Sequence, residues 1–264
     1  MKFPAGLRAF SLVTVALLGL ASASRAAQPL ITDDTGTQGL GGHQVEVAYN
    51  HERARSAGAT DRSDSLPLTY TYGLGETLDI YAGLGQASLR PATGGRRSGF
   101  TNPVLGLKWR AYENEASQTS VALKPELVLP VSARREAAGL GTGEVSGGLT
   151  LIVTQELPFG AVHFNAGVGH ERYRDAVANP EVNSRRLSVA PVWNVAEGWK
   201  LALDLGQKWE RSAGQTVRVR HQELGAIYSP SKDLDWAAGL IRMADDVSPK
   251  TVTHTFTVGL TARF

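Results

Sequence analysis

Beyond residue 43 the chain alternates, one residue hydrophobic and the next polar or small, in segment after segment. Val45, Val47 and Tyr49 alternate with Gln44, Glu46 and Ala48, and Leu66, Leu68, Tyr70 and Tyr72 with Ser65, Pro67, Thr69 and Thr71. Leu105, Leu107 and Trp109 oppose Gly106, Lys108 and Arg110 in the same way, and Leu201, Leu203 and Leu205 oppose Ala202, Asp204 and Gly206. A period of two marks β-strands with two unlike faces. Read along the whole chain, the pattern predicts twelve strands. The others centre on residues 78–84, 121–129, 149–151, 164–168, 187–195, 217–228, 234–240 and 252–264.

Alternation alone fits a soluble sandwich as well as a membrane barrel. The connections separate the two. Expected long connections at residues 53–64, 90–99, 132–143 and 172–184 alternate with short ones at 73–76, 113–118, 156–160 and 196–198. The order continues with less contrast through 211–215, 229–233 and 244–250. Long loops at one end and short turns at the other describe an outer-membrane barrel. With the first strand running outward, Tyr70, Tyr72, Trp109, Tyr112, Trp193, Trp199, Tyr228, Trp236 and Phe264 gather at the short-turn end, and Phe100, Tyr173 and Trp209 at the other. Such girdles suit rings that are apolar in one part and hydrogen-bonding in another. The fold expected is therefore all-β: a closed antiparallel transmembrane β-barrel of the outer-membrane type, about twelve strands, both termini periplasmic.

Composition removes other classes. A mean hydropathy of −0.16 with no long apolar run past the start argues against membrane helices. The absence of Cys excludes disulfides, thiolate metal sites and a thiol nucleophile. Residues 1–26 read as a signal peptide: Lys2 and Arg8, an apolar run Ala9–Ala23, then the small residues Ala21-Ser22-Ala23 and Ser24-Arg25-Ala26. Without Lys2, Arg8 and Arg25 the 27 basic residues become 24 against 25 acids, so the formal charge moves from +2 to −1. The basic pI is then no sign of nucleic-acid binding. Residues 27–42 are expected to form an N-terminal periplasmic segment, a candidate plug, and 43–264 the barrel.

The segment Gln28-Pro29-Leu30-Ile31-Thr32-Asp33-Asp34-Thr35-Gly36-Thr37, followed by Gly41-Gly42 and Gln44-Val45-Glu46, resembles the start of the outer-membrane family named after the meta-pathway of phenol degradation. Asn102-Pro103-Val104-Leu105-Gly106-Leu107-Lys108-Trp109, Lys124-Pro125-Glu126-Leu127-Val128-Leu129-Pro130 and His163-Phe164-Asn165-Ala166-Gly167-Val168-Gly169 are similar to its later segments. After the fifth strand the family usually has Pro-Thr-Gly, where this chain has Pro130-Val131-Ser132. The resemblance implies an outer-membrane barrel with a role in moving small, aromatic compounds, and it brings no catalytic residue. Pro29, Leu30, Thr32, Asp33 and Asp34 are its N-terminal motif. The last residues, with Gly259, Leu260, Ala262 and Phe264, resemble the assembly signal of bacterial outer-membrane proteins.

Charge at a lipid-facing midplane position costs about 2–4 kcal/mol for Arg or Lys, which directs it to the lumen. On that ground Glu46, Asp79, Lys108, Arg110, Lys124, Glu126, Arg186, Asp204, Lys208, Glu210, Arg218 and Arg220 are expected to line the lumen, with Arg186, Lys208, Arg218 and Arg220 a basic outer mouth. The expected function is passive uptake of small, aromatic or anionic solutes. The alternatives are a plugged structural barrel and, from another class, a lipid-modifying enzyme using a Ser–His pair with His170, His221 or His254 on the outer wall. The six His show no zinc-protease spacing, and Thr32–Thr37 lacks the EF-hand pattern, so neither metal nor cofactor is expected. Expected partners are outer-membrane lipid, the assembly machinery, a small-molecule solute and lipopolysaccharide, with no nucleic acid. Lipopolysaccharide phosphates would be met by Arg53, Arg55, Arg62, Arg90, Arg96, Arg97, Arg134, Arg135, Arg172, Arg174, Arg185 and Arg186, unless Glu52, Asp61, Asp64, Glu136 and Asp175 pair with them.

Overall fold

The computed structural model describes residues 28–177 and 179–264; the expected signal peptide lies outside the described residues. The strands are β1 His43–Ser56, β2 Ala59–Gly75, β3 Leu78–Arg90, β4 Arg97–Phe100, β5 Val104–Asn114, β6 Thr119–Val128 and β7 Ser146–Leu157. They continue with β8 Gly160–Glu171, β9 Val182–Ala196, β10 Trp199–Ser212, β11 Gln215–Ser231, β12 Leu234–Asp245 and β13 Val252–Arg263. One short helix, α1 (Ala133–Ala137), lies in the β6–β7 loop. Each strand pairs antiparallel with its neighbour, and β13 returns to pair with β1 from Gln44↔Arg263 to Arg55↔Val252. β4 and β5 both pair with β3, at its two halves, and so act as one interrupted strand. The result is a closed barrel of twelve wall strands, in which the short β4 pairs on one side only, with β3.

The alternation sorts as the pattern predicts, and it sorts inside out. Leu224 and Leu240 are 63% and 62% exposed on the outer surface, whereas Thr253, Thr255, Thr257 and Thr261 are buried facing the lumen. A water-soluble sandwich would hide the leucines. Among the described residues no helix is long and apolar enough to cross a membrane; the strands do so.

Two expected long connections are instead tight. Ala57-Gly58 and Ala213-Gly214 both take positive φ (49° and 82°, 48° and 78°), the geometry of a two-residue hairpin turn that follows strand twist. β1 and β2 therefore run on as a ribbon through residues 53–64, and β10 and β11 through 211–215. Ala at the first turn position hid this, since Asn-Gly or Asp-Gly is the usual signal. The aromatic girdle at the short-turn end includes the stacked pair Trp199–Tyr228, with ring centroids 4.6 Å apart. At the other end Phe100 faces outward, but Tyr173 does not belong to the girdle: it is buried against Val182 inside the β8–β9 loop.

Candidate functional site

The lumen is crossed by the N-terminal segment. Residues 28–38 leave the β11–β13 wall, pass β10, β9, β8, β7, β6 and β5 in turn, and reach β3, bonded to the wall along the way. The first contact is shape. Gly225 and Gly239 face each other on β11 and β12, and Pro29 fills the space: a Cβ at Gly225 would come 2.9 Å from its Cγ. Leu30 then inserts among Ala190, Val192 and Ala202, an apolar seat made by small side chains.

Hydrogen bonds and ion pairs follow. The Thr32 amide donates to Asp204 Oδ2 at 2.6 Å, and its hydroxyl donates to Asp204 Oδ1 at 2.8 Å beside the Ser188 hydroxyl. His221 Nε2 also reaches Asp204 Oδ1 at 2.8 Å. Gly206 leaves room for that ring, because a Cβ there would lie 2.2 Å from His221 Cε1. Asn165 grips the backbone of Asp33 from both sides, accepting from its N–H and donating to its C=O, each at 2.8 Å. The Asp33 carboxylate is buried between Lys124 and Lys108, the latter at 3.0 Å. Asp34 is held below the usual carboxylate range. Burial pushes it up, but Lys108, His163 and the Gly36 N–H together outweigh that. Thr35 reaches Thr154 and Ser120, and the Gln38 amide donates to Asp79 at 3.1 Å. The chain then turns back to β1 through Gly41 and Gly42, which bond to Gly73.

The segment divides the lumen. On the loop side is a cavity of about 270 Å³, floored by Gln28–Ile31 and walled by Thr253, Thr255, Thr257, Ile241 and Met243. On the short-turn side is another of about 350 Å³, roofed by Leu30, Thr32, Asp34 and Thr35. A third space of about 120 Å³ lies beside Asp33 and Lys124.

Ten of the twelve charged residues expected in the lumen face it. Glu46 borders the larger loop-side cavity, and Asp79, Lys108, Lys124 and Asp204 hold the segment. Glu126 accepts from the Tyr81 hydroxyl at 3.0 Å, Lys208 pairs with Glu210 at 2.7 Å, and Arg110 lies in an ion pair with Glu113 and donates to the Glu76 carbonyl. Arg186 and Lys208 border both the 270 Å³ and the 120 Å³ spaces. Arg218 and Arg220 are the corrections. They share the outward parity of Leu224, opposite buried His221 and Glu223; Arg218 pairs with Asp246 at 3.1 Å, and Arg220 donates to Gln207. The lipid penalty placed them wrongly because it fades to about 0–1 kcal/mol near the interface, where both lie. The four-residue basic mouth therefore does not exist.

The arginines expected at the rim also divide. Arg186 is in the lumen; Arg53, Arg55, Arg62, Arg90 and Arg185 stand on the outer wall of strands rather than in loops. Of the expected acid partners, Asp64 meets Arg90 and Glu136 meets Arg174, whereas Glu52 is buried in the lumen. His221, expected on the outer wall, is a further correction: it is buried in the lumen on Asp204. Ser188, Asn165, Thr154 and Ser120, all of which hold the segment, were not singled out as site residues from the sequence. They are neutral residues on lumen parity, where any barrel carries many.

A closed, lumen-lined barrel with aromatic girdles defines the class: a transmembrane β-barrel of the outer-membrane type. Within that class, residues 31–242 match the family described as "Putative MetA-pathway of phenol degradation", and the chain belongs to it. The fold is similar to that of the COG4313 outer membrane channel from Pseudomonas putida F1 (TM-score 0.70, 16% identity, 88% of this chain and 98% of that one). It is also similar to the translocator domain of the autotransporter NalP from Neisseria meningitidis (TM-score 0.56, 12% identity, 99% and 100% covered). The NanC porin gives 0.54 at 7% identity over 82% and 98%. No curated protein matches the chain in sequence.

Proposed function

We propose that this protein is an outer-membrane channel for passive diffusion of small solutes, with residues 28–38 as an internal plug between its two halves. The carrying observation is the loop-side cavity above that segment, whose wall sets the threonine hydroxyls of β13 directly beside Ile241 and Met243 of β12, with Ile31 in its floor. Such a lining suits a small molecule with an apolar body and one or two hydrogen-bonding groups. A cavity of roughly 150 Å³ holds a benzene ring, so about 270 Å³ accommodates a single-ring compound. That the P. putida neighbour is described as a channel supports the same reading. Short turns and the Phe264 end face the periplasm, the loops face outward, and the partners are membrane lipid, the machinery that inserts such barrels and the solute.

The enzyme alternative calls for an outward histidine beside a serine. Among the described residues, the outward histidines His43, His51 and His170 bond Tyr70, Asp64 and Asn183, and neither they nor outward His254 bond a serine hydroxyl.

The absence of native Cys makes a direct test available. Thr32 Oγ1 and Ser188 Oγ are 2.7 Å apart, so Thr32→Cys with Ser188→Cys places two thiols where a disulfide can lock the segment. In liposome-swelling assays with single-ring alcohols, the oxidised double variant is expected to be tight, and the reduced one to admit solute like the parent. Flux unchanged by the lock would remove the plug. No flux in parent or reduced variant would remove the channel.

A further inference from the structure

The strand register sets up a basic strip on the outer wall that the lumen does not use. Arg53 on β1 is paired directly with His254 on β13, and His254 directly with Arg242 on β12. Arg242 in turn faces Gln222 on β11, with Arg220 two residues further along the same outward face. All four basic side chains point away from the barrel axis, and Arg53, His254, Arg242 and Arg220 are each exposed. Directly toward the membrane centre on the same faces stand Phe256, Leu240 and Leu224, all exposed to hydrocarbon. The strip therefore sits where the apolar wall ends.

Its charge is not balanced by protein. Among the described residues, Arg242 and His254 have no ion pair or hydrogen bond from their side chains, Arg53 meets only His51 Nε2, and Arg220 meets only the neutral Gln207. The nearby acids are taken: Asp64 by His51, Tyr49 and Arg90, and Asp246 by Arg218. Arg242 and Arg220 share one face of adjacent strands, with Arg53 one strand beyond His254, so an anion against the strip relieves the repulsion among the three guanidinium groups. Arg is well suited to phosphate, which its planar fork can bind through two parallel hydrogen bonds.

We propose that this strip binds the phosphate groups of an outer-leaflet glycolipid of the lipid A type, whose acyl chains lie on Phe256, Leu240 and Leu224. The assignment rests on the reading of the chain as an outer-membrane barrel but not on any transport activity. Lipid A is favoured over a soluble anion because the basic groups adjoin hydrocarbon-facing residues, which a free phosphate would not use. Gln222 and Gln207 add neutral donors at the same level. This places the lipid contact on the wall of four neighbouring strands, not on the loop arginines.

The test uses the full folded barrel in detergent, its closure checked by heat-modifiable migration in gels. Native mass spectrometry with bis-phosphorylated lipid A is expected to show a retained lipid, and thermal unfolding a rise in midpoint. Lipid A stripped of both phosphates is expected to bind at least ten-fold more weakly. The triple variant Arg53→Gln, Arg242→Gln, Arg220→Gln is expected to lose about as much, while Arg134→Gln with Arg135→Gln in the β6–β7 loop keeps parental binding. Equal binding of the stripped lipid, or a triple variant like the parent, would overturn the proposal. So would displacement of lipid A by millimolar inorganic phosphate, which would mark a free-anion site. A parent that fails to fold as a barrel would instead remove the outer-membrane reading itself, a separate and visible outcome.

Discussion

At the residue scale, the decisive group is Asp33. Its carboxylate is held by two lysines, its amide and carbonyl by one asparagine, and it is 1% exposed. Breaking a buried pair by removing one partner costs about 3–5 kcal/mol, because the charge left behind has no compensation. Asp33→Ala is therefore expected to shift the docked segment toward release by roughly a hundred-fold or more. Hydrogen exchange at the Thr32 and Thr35 amides, both bonded to wall side chains, reads this out directly. Protection equal to the parent's would mean that Leu30 and Thr32 hold the segment without Asp33. Sequence reasoning flagged Asp33 through its motif and Lys108 and Lys124 through their charge. It did not join them, since Lys124 lies 91 residues further along the chain.

At the scale of elements, closure of the barrel depends on the meeting of β1 and β13. The backbones of His43 and Phe264 exchange two hydrogen bonds of 3.0 Å, and their rings stack with centroids 5.3 Å apart at 5°. Phe264, one residue beyond β13, is thus part of the seam. Deletion of Phe264 is expected to lower the amount of protein in the outer-membrane fraction several-fold, measured by fractionation and immunoblotting. Unchanged levels would show that the seam and the assembly step tolerate its loss. The strands themselves were legible because each carries its own period of two. The ribbon extensions of β1–β2 and β10–β11 were not, since beyond the hydrocarbon no lipid penalty enforces alternation and the Ala-Gly turns look ordinary.

For the whole molecule, the outcome of interest is which charges meet a passing solute. Arg218 and Arg220 face away from the lumen, so Arg218→Glu with Arg220→Glu is expected to leave ion selectivity as in the parent. Arg186 borders both the cavity above the segment and the space beside Lys124, so Arg186→Glu is expected to move the reversal potential toward cation preference. Bilayer recordings under a salt gradient distinguish the two variants. A shift from the β11 pair with none from Arg186 would place the permeation path elsewhere.

Alternation, girdle positions and strand number are properties of the sequence read in one dimension. Hydrocarbon on one face and water on the other impose a period of two on every spanning strand, so the barrel, its strand count and most lumen residues follow from counting. The path of residues 28–38 does not follow. It depends on partners such as Asp204, 172 residues from Thr32, brought to one place only by closure and register. The strip joining Arg53 to Arg242 depends likewise on the register of β1 against β13, remote in sequence, whereas Arg218 and Arg220 take the outward side by their parity with Leu224 on the same strand. At the membrane boundary water and headgroups accept charge on either face, so composition exerts no force there and the pairing of backbones decides.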